Sequence, residues 1–215
     1  MILSGIKDSK KANGEGMKAM DDSAFKVHIM TSNRHVHLSE ESVAKLFGEA
    51  GLTFQRKANE DTTTFVCNET VTLEGPKGSI ANVRVLGPFR YNQAELLITD
   101  NFKLGLEAPV RMSGDLDGAA EIRIIGPKGS VEFPCAIVAR RHIHIGADLL
   151  EKYGFTTADE VSVRIDSYRG GVLDHVLFKK AKNPGDSATM HIDTEEGNAF
   201  GLGRSAEGIV LPKKR

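Results

Sequence analysis

From Phe25 onward, apolar and polar positions alternate in short runs, most of them closed by glycine. "FKVHIMT" keeps a period of two, and "VTLEG", "IANVRVLG", "EIRIIG", "VEFPCAIVA", "EVSVRID" and "GVLDHVLF" add the β-branched enrichment of strands packed on one face. Helical spacing is confined to short segments. Ser39 reads as an N-cap, with Glu40 and Glu41 in the first turn complementing the helix dipole. Val43, Leu46 and Phe47 form the apolar face and Gly48 ends the helix. "ADLLEKYG" repeats this design with Leu149, Leu150, Tyr153 and a closing Gly154, and "DTEEGNAFG" reads as a third short helix. Many short strands with a few short helices predict a mainly β protein, built as two small β-barrels with short capping α-helices.

Residues 1–23 are rich in Lys, Gly, Asp and Ser without a sustained period, and read as a flexible N-terminal tail. The remainder repeats itself. "GPKGS" occurs at 75–79 and 126–130, each time between apolar strands and without P-loop spacing, so both copies read as hairpin turns. A His-x-His element at His35 and His37 recurs 107 positions later at His142 and His144, each time before a helix. Matching elements of this kind predict two related barrels, interleaved along the chain, whose equivalent parts can face each other across one cleft.

Composition narrows the functional classes. A chain of 215 residues can bury a substantial core. A formal charge of −1 with no basic block argues against nucleic acid as partner. No apolar run reaches the roughly 18–20 residues of a membrane span, and "MILSGIKDSKK" is too short for a secretory signal. Cys67 and Cys135 lie far apart with no CxxC, and read as buried thiols in a reducing cytosol.

The histidines carry the chemistry. Positions i and i+2 of a strand point to one face, so His35 and His37 can aim at one ion while Val36 and Leu38 pack behind them. His142 and His144, backed by Ile143 and Ile145, repeat the arrangement, and the two doublets take four of only seven histidines. Imidazole suits Zn²⁺, and a catalytic site typically has three protein ligands and an open position. For the third ligands the chain offers His191 in "TMHIDTEEGNAFG" and Glu95 in "GPFRYNQAELLITD"; a satisfied lone histidine and a solvated strand glutamate are the alternative readings. His28 and His175 read as structural, the latter at the core or its boundary between Leu173 and Leu177. Arg34, Arg140 and Arg141 flank the doublets and Arg90 precedes Glu95, which suggests a phosphorylated or anionic substrate. Neither a nucleophile elbow nor a dinucleotide-binding glycine fingerprint is present in the sequence.

Taken in order, "SNRHVHLSEE", "GPKGSIANVRVLGPFR", "RMSGDLDG", "IGPKGSV", "ARRHIHI" and "MHIDTEEGNAFG" closely resemble the phosphate propanoyltransferases, the phosphotransacylases of the propanediol-utilisation type, from about residue 24 to 213. The resemblance implies a discontinuous barrel of residues 24–33 and 140–213, and a second barrel of 34–139 with a helical insertion near 40–66. It implies two Zn²⁺ per chain. His35, His37 and Glu95 would hold one, with an open position for the sulfur of coenzyme A; His142, His144 and His191 would hold the other, with water. Arg90 matches the arginine that binds phosphate. The chain departs from the family's R-x-x-T-Q-V-E pattern: "RYNQAE" is one residue shorter and lacks the threonine. In a regular strand that shift would turn Arg90 to the opposite face from its usual relation to Glu95.

The function so implied is reversible transfer of a short acyl group, propanoyl or acetyl, between coenzyme A and inorganic phosphate. A metal-dependent acyl-CoA thioesterase and a non-catalytic metal-containing binding protein are the alternatives. A homodimer is implied by resemblance alone. The expected location is the cytoplasm, with the interior of a bacterial microcompartment left open, since residues 1–23 make a poor amphipathic targeting helix.

Overall fold

The computed structural model describes residues 24–48, 51–58, 63–181, 188–203 and 205–212, so the segment read as a tail lies outside the described residues. Among the described residues the fold is mainly β, with two closed six-stranded barrels and four short helices. One barrel contains β2 (His35–His37), β4 (Phe65–Gly75), β5 (Gly78–Gly87), β6 (Gln93–Leu96), β8 (Ala120–Ile125) and β9 (Ser130–Ala139). Its ring runs β4-β5-β2-β6-β9-β8 and closes through the β8–β4 pairing. Two short strands, β3 (Phe54–Lys57) and β7 (Val110–Arg111), attach outside the ring to β4 and β9. The other barrel contains β1 (Phe25–Ser32), β10 (His142–Ile145), β11 (Glu160–Ile165), β12 (Gly171–Lys180), β13 (Thr189–Asp193) and β14 (Ser205–Val210), in the ring order β1-β13-β10-β12-β11-β14. Closure leaves no open edge within either ring.

The two barrels share one plan. The helices α1 (Glu40–Phe47), α2 (Ile98–Leu104), α3 (Ala147–Lys152) and α4 (Thr194–Ala199) follow β2, β6, β10 and β13 respectively. Thus β2-α1-β4-β5-β6-α2-β8-β9 matches β10-α3-β11-β12-β13-α4-β14, and β1, from the start of the chain, completes the second set where β9 completes the first. The pairings agree strand for strand. β2 is parallel to β5 and antiparallel to β6, while β10 is parallel to β12 and antiparallel to β13. β6 is parallel to β9, and β13 to β1.

Strand alternation sorts side chains between two separate cores and the surfaces that face away from them. Phe25, Val27, Ile29, Ile143, Ile145, Met190 and Ile192 fill one barrel, and Val36, Leu38, Ala94, Leu96, Ile122 and Ile124 help fill the other. Burying each large aliphatic side chain among these contributes about 1.5–3 kcal/mol. Cys67 and Cys135 are buried, unpaired thiols of the second core, as expected, and burial pushes both up to about 11.

Ser39 caps α1 by accepting the Ser42 N–H at 3.2 Å, and Gly48 takes φ 70° at its end. Both GPKGS segments are hairpin turns, joining β4 to β5 and β8 to β9. Each accepts the C-terminus of a helix, Lys77 N bonding Leu104 O and Lys128 N bonding Leu46 O, both at 3.0 Å. The closeness of this packing requires glycine: a Cβ would lie 2.4 Å from Leu104 O at Gly75 and 2.5 Å from Leu46 O at Gly126.

His175 departs from expectation. A register shift between β11 and β12 falls beside it, its φ is 60°, and its ring turns outward to Glu160 (2.5 Å) instead of joining Leu173 in the core. The bulge breaks the alternation on which the core placement depends. His28 is an exposed strand residue whose Nε2 lies 3.3 Å from Ser205 Oγ.

Candidate functional site

Cross-strand register brings each histidine doublet a third polar partner. His35 pairs with Glu95 across β2 and β6, and His142 pairs with His191 across β10 and β13. In each set the three ligand-capable atoms lie within 4.8 Å of one another: His35, His37 and Glu95 in one, His142, His144 and His191 in the other. Val36 and Ile143, between the histidines, point into the two cores. The doublets are therefore fixed from behind by packing.

Hydrogen bonds set the rings. His35 Nδ1 donates to Asn33 O at 2.9 Å and His142 Nδ1 to Arg140 O at 2.8 Å, the carbonyl two residues earlier in both cases. In the neutral form of each ring this bond leaves Nε2 its lone pair. His35 Nε2 lies 3.4 Å from Glu95 Oε2, and His142 Nε2 lies 3.1 Å from His144 Nε2. His37 Nδ1 is buried with no hydrogen-bond partner. A buried nitrogen with no hydrogen-bond partner, grouped with a carboxylate and a second imidazole, is a donor set suited to a cation. The residues fit a divalent metal at both triads.

Electrostatics point the same way. Burial, reinforced by His142 and Lys179, holds His144 down at about 4. Burial together with His142 and His144 holds His191 down at about 3, and His37 and His142 are also lowered, chiefly by burial. Neutral imidazoles are the form that ligates a metal. For Glu95 burial works against ionisation, but His35, His37, the Ser113 hydroxyl and Arg90 outweigh it and hold the carboxyl at about 2.

Three residues of the site were not singled out by sequence reasoning. Gln93 is fully buried, and its Nε2 donates to Glu95 Oε1 at 2.5 Å and to Ser113 Oγ at 3.0 Å. Ser113 Oγ donates to the same Glu95 oxygen at 2.7 Å, and Gly114 N donates to Gln93 Oε1 at 2.9 Å. Glu95 Oε1 is thus occupied, while Oε2 faces His35. From the other barrel Lys179, register partner of His144, donates to the Ser113 carbonyl at 2.8 Å. Glu95 also acts electrostatically on His142 and His191, so the two triads lie near enough to influence each other. Gln93 could have been found two residues before Glu95 on the same strand face; nothing local marks Lys179.

The arginines divide into two kinds. Arg34 Nε bonds both oxygens of Asp100 at 2.9 and 2.8 Å, Arg141 Nε lies 2.6 Å from Glu196, and Arg140 Nη2 lies 2.6 Å from Glu160. These three, grouped by the sequence as an anion-attracting ring, each face a carboxylate. Arg90 differs: its Nε and Nη2 are buried without a hydrogen-bond partner, and Nη2 lies 3.9 Å from Glu95 Oε1. The shortened "RYNQAE" does not turn it away, because Arg90 lies outside β6 in a connection moored by Arg90 N to Leu38 O at 3.0 Å and Ser39 N to Asn92 Oδ1 at 2.9 Å.

Residues 28–203 match the family model described as phosphate propanoyltransferase. The chain is 44% identical over 195 residues to the phosphate propanoyltransferase of Rhodobacter capsulatus, covering 89% of each chain. It is 45% identical over 180 residues to that of Rhodopseudomonas palustris, covering 83% of this chain and 79% of the relative. To that of Thermotoga maritima it is 44% identical over 174 residues, covering 80% and 82%.

Proposed function

The chain belongs to the phosphate propanoyltransferase family and is an acyltransferase, and from this premise we propose that it interconverts a short acyl-CoA plus inorganic phosphate with acyl phosphate plus coenzyme A in the cleft between the barrels. One observation carries the phosphate part of this reading. Arg90 holds two buried guanidinium N–H donors without acceptors next to Glu95, and such donors call for an anion. Arg34, Arg140 and Arg141 are committed to carboxylates and leave Arg90 to the substrate.

In this mechanism Arg90 binds and orients phosphate so that one of its oxygens meets the thioester carbonyl carbon, and the C–S bond breaks as the new C–O bond forms. Holding both anionic substrates in register is itself a large part of the rate enhancement. Two Zn²⁺ ions are assigned to His35, His37 and Glu95 and to His142, His144 and His191; when bound, such an ion supplies Lewis-acid polarisation of the carbonyl and stabilisation of the departing thiolate. Gln93 and Ser113 fix the Glu95 carboxylate, and Lys179 ties the Ser113 loop to the opposite barrel. Acyl preference is proposed as propanoyl or acetyl.

The same reading carries a cytoplasmic location, with a microcompartment interior as the alternative, and a homodimer, for which exposed Ile98 and Phe102 on α2 offer an apolar face. No helix among the described residues is long and apolar enough to cross a membrane. The deciding experiment measures CoA release from a panel of short acyl-CoAs by zinc-replete protein, with and without phosphate. Release that needs phosphate and yields acyl phosphate supports the transferase. Release independent of phosphate would identify a thioesterase, and no turnover a binding protein.

A further inference from the structure

The residue before each histidine doublet is an arginine, and the structure gives the two arginines equivalent partners. Arg34 bonds Asp100, which lies five positions after Glu95; Arg141 bonds Glu196, which lies five positions after His191. Asp100 is 3% exposed and Glu196 is half-buried, and each occupies the third position of the helix that follows the third-ligand strand. Each also accepts the N–H of its helix N-cap, Leu97 N to Asp100 Oδ2 at 2.9 Å and Asp193 N to Glu196 Oε2 at 3.0 Å. A short closed circuit results in each barrel. It runs from the arginine to the adjacent histidine, across the strand pair to the third ligand, along to the acid, and back through the ion pair.

We infer that Arg34–Asp100 and Arg141–Glu196 are positioning clasps, one for each metal triad, which set the placement of Glu95 and His191 against the histidine doublets. This rests on the metal-site reading above. Two features favour positioning over substrate binding. Both guanidinium groups engage their acids through Nε, and an anionic substrate would have to compete with a carboxylate already in contact. The device also recurs in both barrels although the third ligands differ chemically, a carboxylate in one and an imidazole in the other. What is common to the two sites is the geometry to be held, not the group that is held. The clasps lie next to each other, since Thr99, beside Asp100, bonds Glu195, beside Glu196, through its hydroxyl and through its N–H at 3.4 Å.

The test is a zinc titration of the full chain after chelator stripping, followed by chelator competition and metal analysis. Arg34→Gln and Asp100→Asn are expected to weaken one Zn²⁺ about 10- to 100-fold and leave the other within about threefold. Arg141→Gln and Glu196→Gln should do the same to the other ion. Single-site variants, His37→Ala and His144→Ala, identify which ion is which. Asp100→Asn retains an acceptor for Leu97 N, so a far-ultraviolet spectrum and melting curve matching the parent exclude global unfolding as the cause, and Arg34→Lys should recover part of the lost affinity. Wild-type protein that takes up two ions while the clasp variants bind both unchanged would overturn the clasps and leave the metal reading standing. Equal weakening of both ions by every clasp variant would also overturn them. Wild-type protein that binds no zinc would overturn the metal reading itself, and the clasps with it.

Discussion

Replacing Arg90 by methionine should separate function from stability in opposite directions. The side chain is 32% exposed, yet its Nε and Nη2 are individually buried and unpaired. In the free protein these donors are a cost, because an unsatisfied buried donor loses about 1–3 kcal/mol of hydration. Methionine removes that cost and keeps most of the aliphatic packing. Against it stands the loss of the guanidinium over the Tyr91 ring at 4.9 Å, a contact that contributes about 0.5–1 kcal/mol. Arg90 also supports ionised Glu95, but as the smallest of the favourable influences on it. The balance predicts a melting temperature unchanged or raised by about 2–4 °C for a chain of this size. Phosphate binding moves the other way. Two charge-assisted hydrogen bonds, each taken at the low end of about 1.5–3 kcal/mol because the group is partly solvated, amount to roughly 3 kcal/mol, or on the order of 100-fold in KM for phosphate. Initial rates of acyl phosphate formation at varied phosphate, with acyl-CoA saturating and zinc content matched, measure it. A KM for phosphate within about threefold of the parent would refute the assignment of Arg90 to phosphate. A clear fall in melting temperature would instead show that the guanidinium is satisfied within the fold.

Other consequences are equally direct. His142→Ala should lose one equivalent of zinc and most activity; retention of both would remove the second triad from the mechanism. For the zinc-free protein, His144 and His191 are held at about 4 and about 3, below the ordinary 6.5, so their contribution to stability is complete above pH 6.5 and declines as pH falls toward those values. Melting temperature should therefore drop between pH 7 and pH 5, roughly where only histidines titrate, and His191→Asn should flatten the drop; an unchanged slope in that variant would contradict the placement. Gly75→Ala and Gly126→Ala each bring a Cβ against a helix-end carbonyl and should cost about 1–3 kcal/mol in chemical denaturation. Gly203→Ala, with nothing within 4 Å of the added carbon, is the control expected to be near neutral.

What could be read from the chain was local. A period of two places His35 with His37 and His142 with His144 on one face whatever surrounds them, and the apolar residues between them define the side that packs. Ser39, Gly48 and the GPKGS turns likewise act through their immediate neighbours, and the structure has them as the sequence predicts. The helix at Ile98–Leu104 was missed because its N-cap is Leu97, whose side chain cannot accept a hydrogen bond, and only Asp100 and Gly105 mark its two ends. His175 was misplaced because a bulge, which depends on the partner strand, interrupts the alternation.

Tertiary structure alone decided partnership. Glu95 meets His35, and His191 meets His142, through cross-strand register in closed barrels. Asp100 and Glu196 reach Arg34 and Arg141 because a helix starts where the ligand strand ends. The arginines beside the histidines looked alike in sequence, yet only Arg90 keeps buried donors open, since carboxylates brought in from distant segments occupy the other three. The physical reason is one of range. Backbone sterics and hydrophobic periodicity fix which face a side chain presents within a few residues, whereas what it meets there depends on which remote strand the closing barrel sets beside it.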